Sequence, residues 1–264
     1  MGDRYDVPSQ RLQASILLAR AAIPHVIWGQ DAVHFSLNSG VFFFFTDRDL
    51  QILLPSSRIE QGVKLLAPTY SIMSHKEIDD EGNARDYTLA FRDRPNDFAR
   101  LKLMQRNSKA DPSHVLLISN AIYDYPLHDI VQKLFPLCPE LPFPSVPALI
   151  RLMPVLIQKR IDMDFSVQNW FFIRSCRFPL EAAINLAFPK ELKEEFDDED
   201  QLPMRLKEMM SSLDERQRVW IYDLFLIEGE PGGSDSEGVW DTLFTHCSPL
   251  ITKSDSQDLM AAHL

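Results

Sequence analysis

Asp47 and Asp49 are the residues of this chain whose type and spacing best suit chemistry. Two positions apart in an extended segment, their side chains project from one face of a strand, so two carboxylates would converge on a common cation with a preference for hard oxygen ligands. Magnesium is such a cation. A second register is open along the same segment: Asp49, Leu50, Gln51 and Ile52 alternate polar with apolar, whereas Asp47, Arg48 and Asp49 put a guanidinium where the apolar face belongs. In that register a neutral amide replaces one carboxylate, and an amide is a much weaker ligand for magnesium. A structural reading stands beside both, in which the two aspartates solvate the start of a strand next to Arg48.

Other chemistry is poorly represented. The seven histidines, among them His25, His34, His75 and His114, show neither an HExxH pattern nor Cys/His spacing. No Ser-His-Asp or Cys-His signature stands out. Cys138, Cys176 and Cys247 are odd in number and widely spaced, which fits a reducing compartment rather than a disulfide framework. Arg100, Lys102, Arg106 and Lys109 form a local basic cluster, read first as residues that solvate a strand and turn, with a face toward a phosphate group as the alternative.

A chain of 264 residues with 45% hydrophobic composition can bury one large core or two modest ones. The net charge of -11 argues against general attachment to nucleic acid or anionic membrane, since both reward an excess of Lys and Arg. The most apolar run, 41–45, is far short of the roughly 20 residues needed to span a bilayer, and residues 1–10 are polar. A cytoplasmic protein without a membrane span is the expectation.

The elements that must position the aspartates follow from periodicity and breakers. A helix is predicted over 9–22, a short strand over 25–28 ended by Gly29, and a brief helix over 31–37 capped by Asp31. The apolar run 42–45 leads through the aspartates into 50–54, where Pro55 ends the strand. A helix capped by Ser56 or Ser57 runs to Leu66. Strands follow at 70–73, 87–91 after a hairpin loop near 79–83, 101–104, and 114–118, the last without an obvious partner. Seven prolines between 126 and 154 place a domain boundary there. Helices are predicted over 146–161, 168–176, 180–187 and 203–226, with an acidic run at 191–200 and a flexible loop at 229–238. The resulting division is an α/β domain over 1–125, a Pro-rich linker over 126–145 and an α-helical domain over 146–264.

Over roughly residues 9–105, the order helix, short strand ending in Gly, short helix, acid-bearing strand, helix, strand resembles the start of the nucleotidyltransferase fold, including fungal proteins of this architecture. The resemblance implies an α+β fold, a nucleotidyltransferase-like mixed sheet with flanking helices followed by a C-terminal α-helical domain. It places Gly29 and Gln30 where a Gly-Ser pair lets the backbone approach nucleotide phosphates. Asp47 and Asp49 become the catalytic pair and the metal ligands, with Mg2+ as the cofactor of an active enzyme. In the alternating register Gln51 takes the second ligand position. Where a third acid is expected, the chain reads Leu101, Lys102, Leu103. A lysine cannot ligate a cation, but it can hold an anion near Asp49. These departures imply a degenerate member that binds a nucleotide or another small ligand and serves binding or regulation. An active metal-dependent nucleotidyltransferase and a non-catalytic interaction protein are the alternatives.

Overall fold

Two segments, Leu50-Gln51-Ile52-Leu53-Leu54 and His114-Val115-Leu116-Leu117-Ile118-Ser119, carry near-continuous apolar runs, the pattern of strands covered on both faces. In the computed structural model, which describes residues 11–37, 49–74, 77, 96–105, 111–135, 138–162, 167–187, 204–218 and 221, these two strands lie side by side within one sheet. The protein is α+β, and among the described residues no helix is long and apolar enough to cross a membrane.

In chain order the strands are β1 (Val26–Trp28), β2 (Leu50–Leu54), β3 (Tyr70–Ile72), β4 (Phe98–Leu103) and β5 (His114–Ser119). They form a sheet of order β1-β2-β5-β4-β3, in which β2 and β5 are parallel and the other neighbours antiparallel. β5, for which the sequence offers no partner, is thus the central strand. The expected strand over 87–91 and the apolar run 42–45 lie outside the described residues, as do the acidic run 191–200 and the loop 229–238.

One sheet face carries Ile52, Leu54, Leu101, Val115 and Leu117, which pack on α1 (Gln13–Arg20) and on the helix Ile59–Leu66. Gly62 allows the close approach of that helix, because a Cβ there would sit 3.1 Å from Leu117 Cδ1 and 3.4 Å from Leu54 Cδ1. Between β1 and β2 runs α2 (Gly29–Ala32), continued by a π-helical turn, Val33–Leu37. Ile59–Leu66 is therefore α3.

α2 starts two residues before the expected position, and Asp31 does not cap it. The Asp31 carboxylate instead accepts from Arg11 Nε and Nη2 at 2.8 and 2.9 Å, both side chains 1% exposed. A two-pronged guanidinium pair of this kind compensates burial better than a single contact. Likewise Ser56 does not cap α3. It lies in a 3-10 turn, Ser56–Arg58, and its hydroxyl meets that of Ser119 at 2.5 Å.

The opposite sheet face carries Val26, Trp28, Leu53, Phe98, Leu116 and Ile118 into a second core with α4 (Val146–Ile161), α5 (Val167–Ala187) and α6 (Met204–Met210). Trp28 packs against Tyr123 and Tyr125 with ring centroids 5.0 and 5.1 Å away, and Tyr123 stacks on Phe172 at 5.2 Å. α5 is a single helix with Pro179 inside it, where the sequence suggests two. The helix expected over 203–226 is α6 followed by a turn and a short helical stretch over 215–218.

Within the proline-rich stretch the chain forms a two-stranded ribbon, β6 (Ile130–Lys133) with β7 (Leu141–Pro144), and β7 is buried throughout. Pro142 and Pro144 share one edge of β7, so Leu141 and Phe143 provide the N–H groups of the ladder. Lys133 Nζ donates to the carbonyls of Phe35 and Ser36 at 3.2 and 2.6 Å, tying the ribbon to the π-helical turn. Ser145 caps α4 by accepting from the Ala148 N–H at 3.3 Å while its own hydroxyl donates to Asp129 Oδ1 at 2.6 Å.

His25 joins α1 to β1. Its Nδ1–H donates to the Ile23 carbonyl at 2.8 Å, which leaves Nε2 to accept from the Ser15 hydroxyl at 2.7 Å. Burial pushes the His25 pKa below 6.5, against the opposing effect of the Ile23 and Ser15 contacts. A folded-state pKa below the unfolded value means that the unfolded chain binds the extra proton more readily. Stability should therefore be fully present above pH 6.5 and fall as pH drops below it, by up to about 1.4 kcal/mol per pH unit. Urea melts of wild type and His25→Gln between pH 7 and pH 5 check this, since the variant should lose that part of the slope.

Candidate functional site

At one end of the helix-packed sheet face the lining changes from apolar to polar. Strand partners directly opposite one another share a face, so register alone assembles the site. Gln51 lies opposite Leu116, and Leu116 opposite Arg100; one step along, His114 lies opposite Lys102. Asp49 immediately precedes β2, two residues from Gln51, and falls on the same side. Asp49, Gln51, Arg100, Lys102 and His114 thus gather on one face from three adjacent strands.

The centre of this group is a buried ion pair. Arg100 Nε lies 3.1 Å from Asp49 Oδ2, with the arginine side chain 3% and the aspartate 13% exposed. His114 Nδ1 lies 3.1 Å from Asp49 Oδ1. A carboxylate only accepts, so Nδ1 carries the proton of this contact. Arg100 Nη2, 3.4 Å from the same nitrogen, then adds proximity rather than a hydrogen bond. Burial, the largest influence on Asp49, pushes its carboxyl pKa up; the His114 hydrogen bond and the Arg100 charge together outweigh it and hold the group below the ordinary carboxylate value.

Asp47 lies outside the described residues. Asp49 is at the site, paired with Arg100 and His114. Gln51 is buried in β2 and faces Trp28 of β1. Gly29 follows directly with φ +63°, and a Cβ there would sit 2.8 Å from Gln51 Oε1 and 3.1 Å from Gln51 Cδ. The side-chain space of Gly29 is therefore filled by the Gln51 amide, which accounts for a glycine at this position. Gln30 is half-buried, and its Oε1 has no hydrogen-bond partner among the described residues. Lys102 is exposed on β4.

Asp49 and Gln51, two residues apart, fall on one side of β2, as any such pair does, and Asp47, which would separate the two registers, lies outside the described residues. Two participants were not evident beforehand. Arg100 belongs to the basic cluster that reads as solvating residues, yet it is buried; His114 reads as one of several unconnected histidines. The available signal was parity: Arg100 is two residues from Lys102, and His114 begins an apolar strand.

This group does not suit a divalent cation. Asp49 already faces a guanidinium, Gln51 is neutral, and Lys102 brings a further positive charge to the face. Among the described residues no three His, Cys, Asp or Glu side chains come together as a metal site. The Asp49 carboxylate is instead answered by Arg100 and His114, while the Glu77 carboxylate lies within electrostatic reach of Lys102. No protein-family model matches the chain, and no curated protein matches its sequence.

Removing one member of a buried ion pair strands the other. Arg100→Met is expected to cost about 3–5 kcal/mol of unfolding free energy, with most of the loss recovered in Arg100→Met/Asp49→Leu. Urea denaturation of the single and double variants checks this, and a single variant costing under about 1 kcal/mol would refute it. Gly29→Ala is expected to cost about 1–2 kcal/mol from its left-handed backbone, with added loss from the Gln51 contact. A thermal melt unchanged from wild type would contradict that expectation.

Proposed function

We propose that this protein is a nucleotidyltransferase-like α+β protein that binds a nucleotide or a similar phosphorylated ligand without a divalent metal and does not transfer the nucleotidyl group. One observation carries the reading: the Asp49 carboxylate is held by Arg100 and His114, and the next position on that face is the neutral Gln51. A transfer site built on two metal ions needs carboxylates that converge on the cations, polarise the attacking hydroxyl and offset charge on the leaving group. Here a guanidinium paired with Asp49 and an exposed ammonium stand on the same face, groups of the type that bind phosphoryl oxygens.

This reading draws on the resemblance carried in the sequence by the order of elements and the Gly-bearing turn after the first short strand. The helices α4 and α5 join Leu53 and Ile118 of the same sheet face in one core. Binding and regulation, rather than turnover, follow from a face whose buried carboxylate is already answered by Arg100 and His114.

Titration calorimetry with each of the four ribonucleoside triphosphates, in magnesium and in EDTA, tests the proposal. At least one triphosphate should bind with an affinity that EDTA leaves unchanged, and labelled nucleotide should not be incorporated into acceptors. Binding that requires magnesium and disappears in Asp49→Asn would instead establish a metal-dependent enzyme.

A further inference from the structure

The two partners of the buried pair differ in how they meet solvent. Asp49 is 13% exposed and Arg100 only 3%. Of the pair, the carboxylate is thus the more open to solvent, while exposed Lys102 stands farther along the same face. Carboxylate and phosphoryl oxygens are both acceptors and compete for the same N–H donors. His114 fixes the carboxylate from the other side through its 3.1 Å contact, so that Asp49 is held against Arg100 rather than turned away.

We propose that Asp49 is an internal counter-anion: it occupies Arg100 and sets the affinity of this face for phosphoryl groups by competing with them. This deepens the reading of the site as a binder of phosphorylated ligands and rests on it. On a metal-binding face, the loss of this carboxylate would weaken binding of a phosphorylated ligand. On this face its loss should strengthen binding, because the repulsion and the competition disappear together. Gln51 is already neutral and contributes no opposing charge.

The probe is inorganic pyrophosphate, which has no base or sugar, titrated in EDTA at fixed ionic strength into the full chain. Asp49→Asn keeps the size of the side chain and removes its charge. It should bind pyrophosphate about tenfold or more tightly than wild type, and Asp49→Asn/Lys102→Gln should lose most of that gain. Circular dichroism verifies that the variants are folded. Equal or weaker binding by folded Asp49→Asn overturns the proposal, as does no measurable binding by either protein.

Should Asp49→Asn fold too weakly to titrate, Lys102 supplies the second arm. Lys102→Glu alters an exposed side chain and adds a carboxylate to the face, and should weaken pyrophosphate binding at least about tenfold. An unchanged affinity, or none measurable in wild type, overturns the proposal. Failures of the two readings remain separable. Magnesium-dependent triphosphate binding would refute the proposed function even if the Asp49→Asn gain appeared. Metal-independent triphosphate binding without that gain would refute the counter-anion alone.

Discussion

A carboxylate placed on the inner face of a sheet must be answered by positive charge or lose its own. Taking a carboxylate from water into protein surroundings costs several kcal/mol, and attraction to a partner offsets this only with close geometry. Asp49 meets the requirement with Arg100 and His114 from β4 and β5. The pair depends on strand register, because a shift of one residue in β4 or β5 would turn a partner to the opposite face. The apolar residues on either side of these strands hold that register, so the ion pair and the two cores depend on one another.

The same rule is applied a second time near the chain's first helix. Arg11 and Asp31, both fully buried, link the region before α1 to the helical segment after Gly29. Lys133 closes the far end of that segment through two carbonyls. The described segment 29–37 is thus fixed near its start by an ion pair and near its end by an ammonium, with Gly29 folded over Gln51 between β1 and α2. Such fixing is what a site on this face needs, since residues on strands and buried helices hold position better than those on open loops.

Much of the architecture was legible in the sequence because hydrophobic continuity reports burial directly. β1, β2, β3, β5, α3 and α4 coincide closely with runs that the pattern marks. Strand pairing was not legible: nothing local to His114–Ser119 says that it lies between β2 and β4, since partner choice is settled by packing across the sheet. Prolines misled in two ways. Pro179 sits inside α5, where surrounding contacts tolerate the missing hydrogen bond, and Pro142 and Pro144 sit in a strand edge that does not need their N–H groups. At the site, alternation associates Asp49 with Gln51, while Asp47 lies outside the described residues. Arg100 was harder, because a long basic side chain reads as surface unless the acid that neutralises it is known, and that acid is remote in sequence.

The Asp49 and Arg100 pairing also restricts how this chain can change over generations. Converting Gln51 to glutamate would not by itself create a seat for a cation, since Asp49 would still be paired with the Arg100 guanidinium. Replacing Arg100 first would strand a negative charge indoors, and replacing Asp49 first would strand a positive one. Each single step toward a two-acid face passes through a less stable fold, so lineages carrying this pair should keep both members or exchange both together.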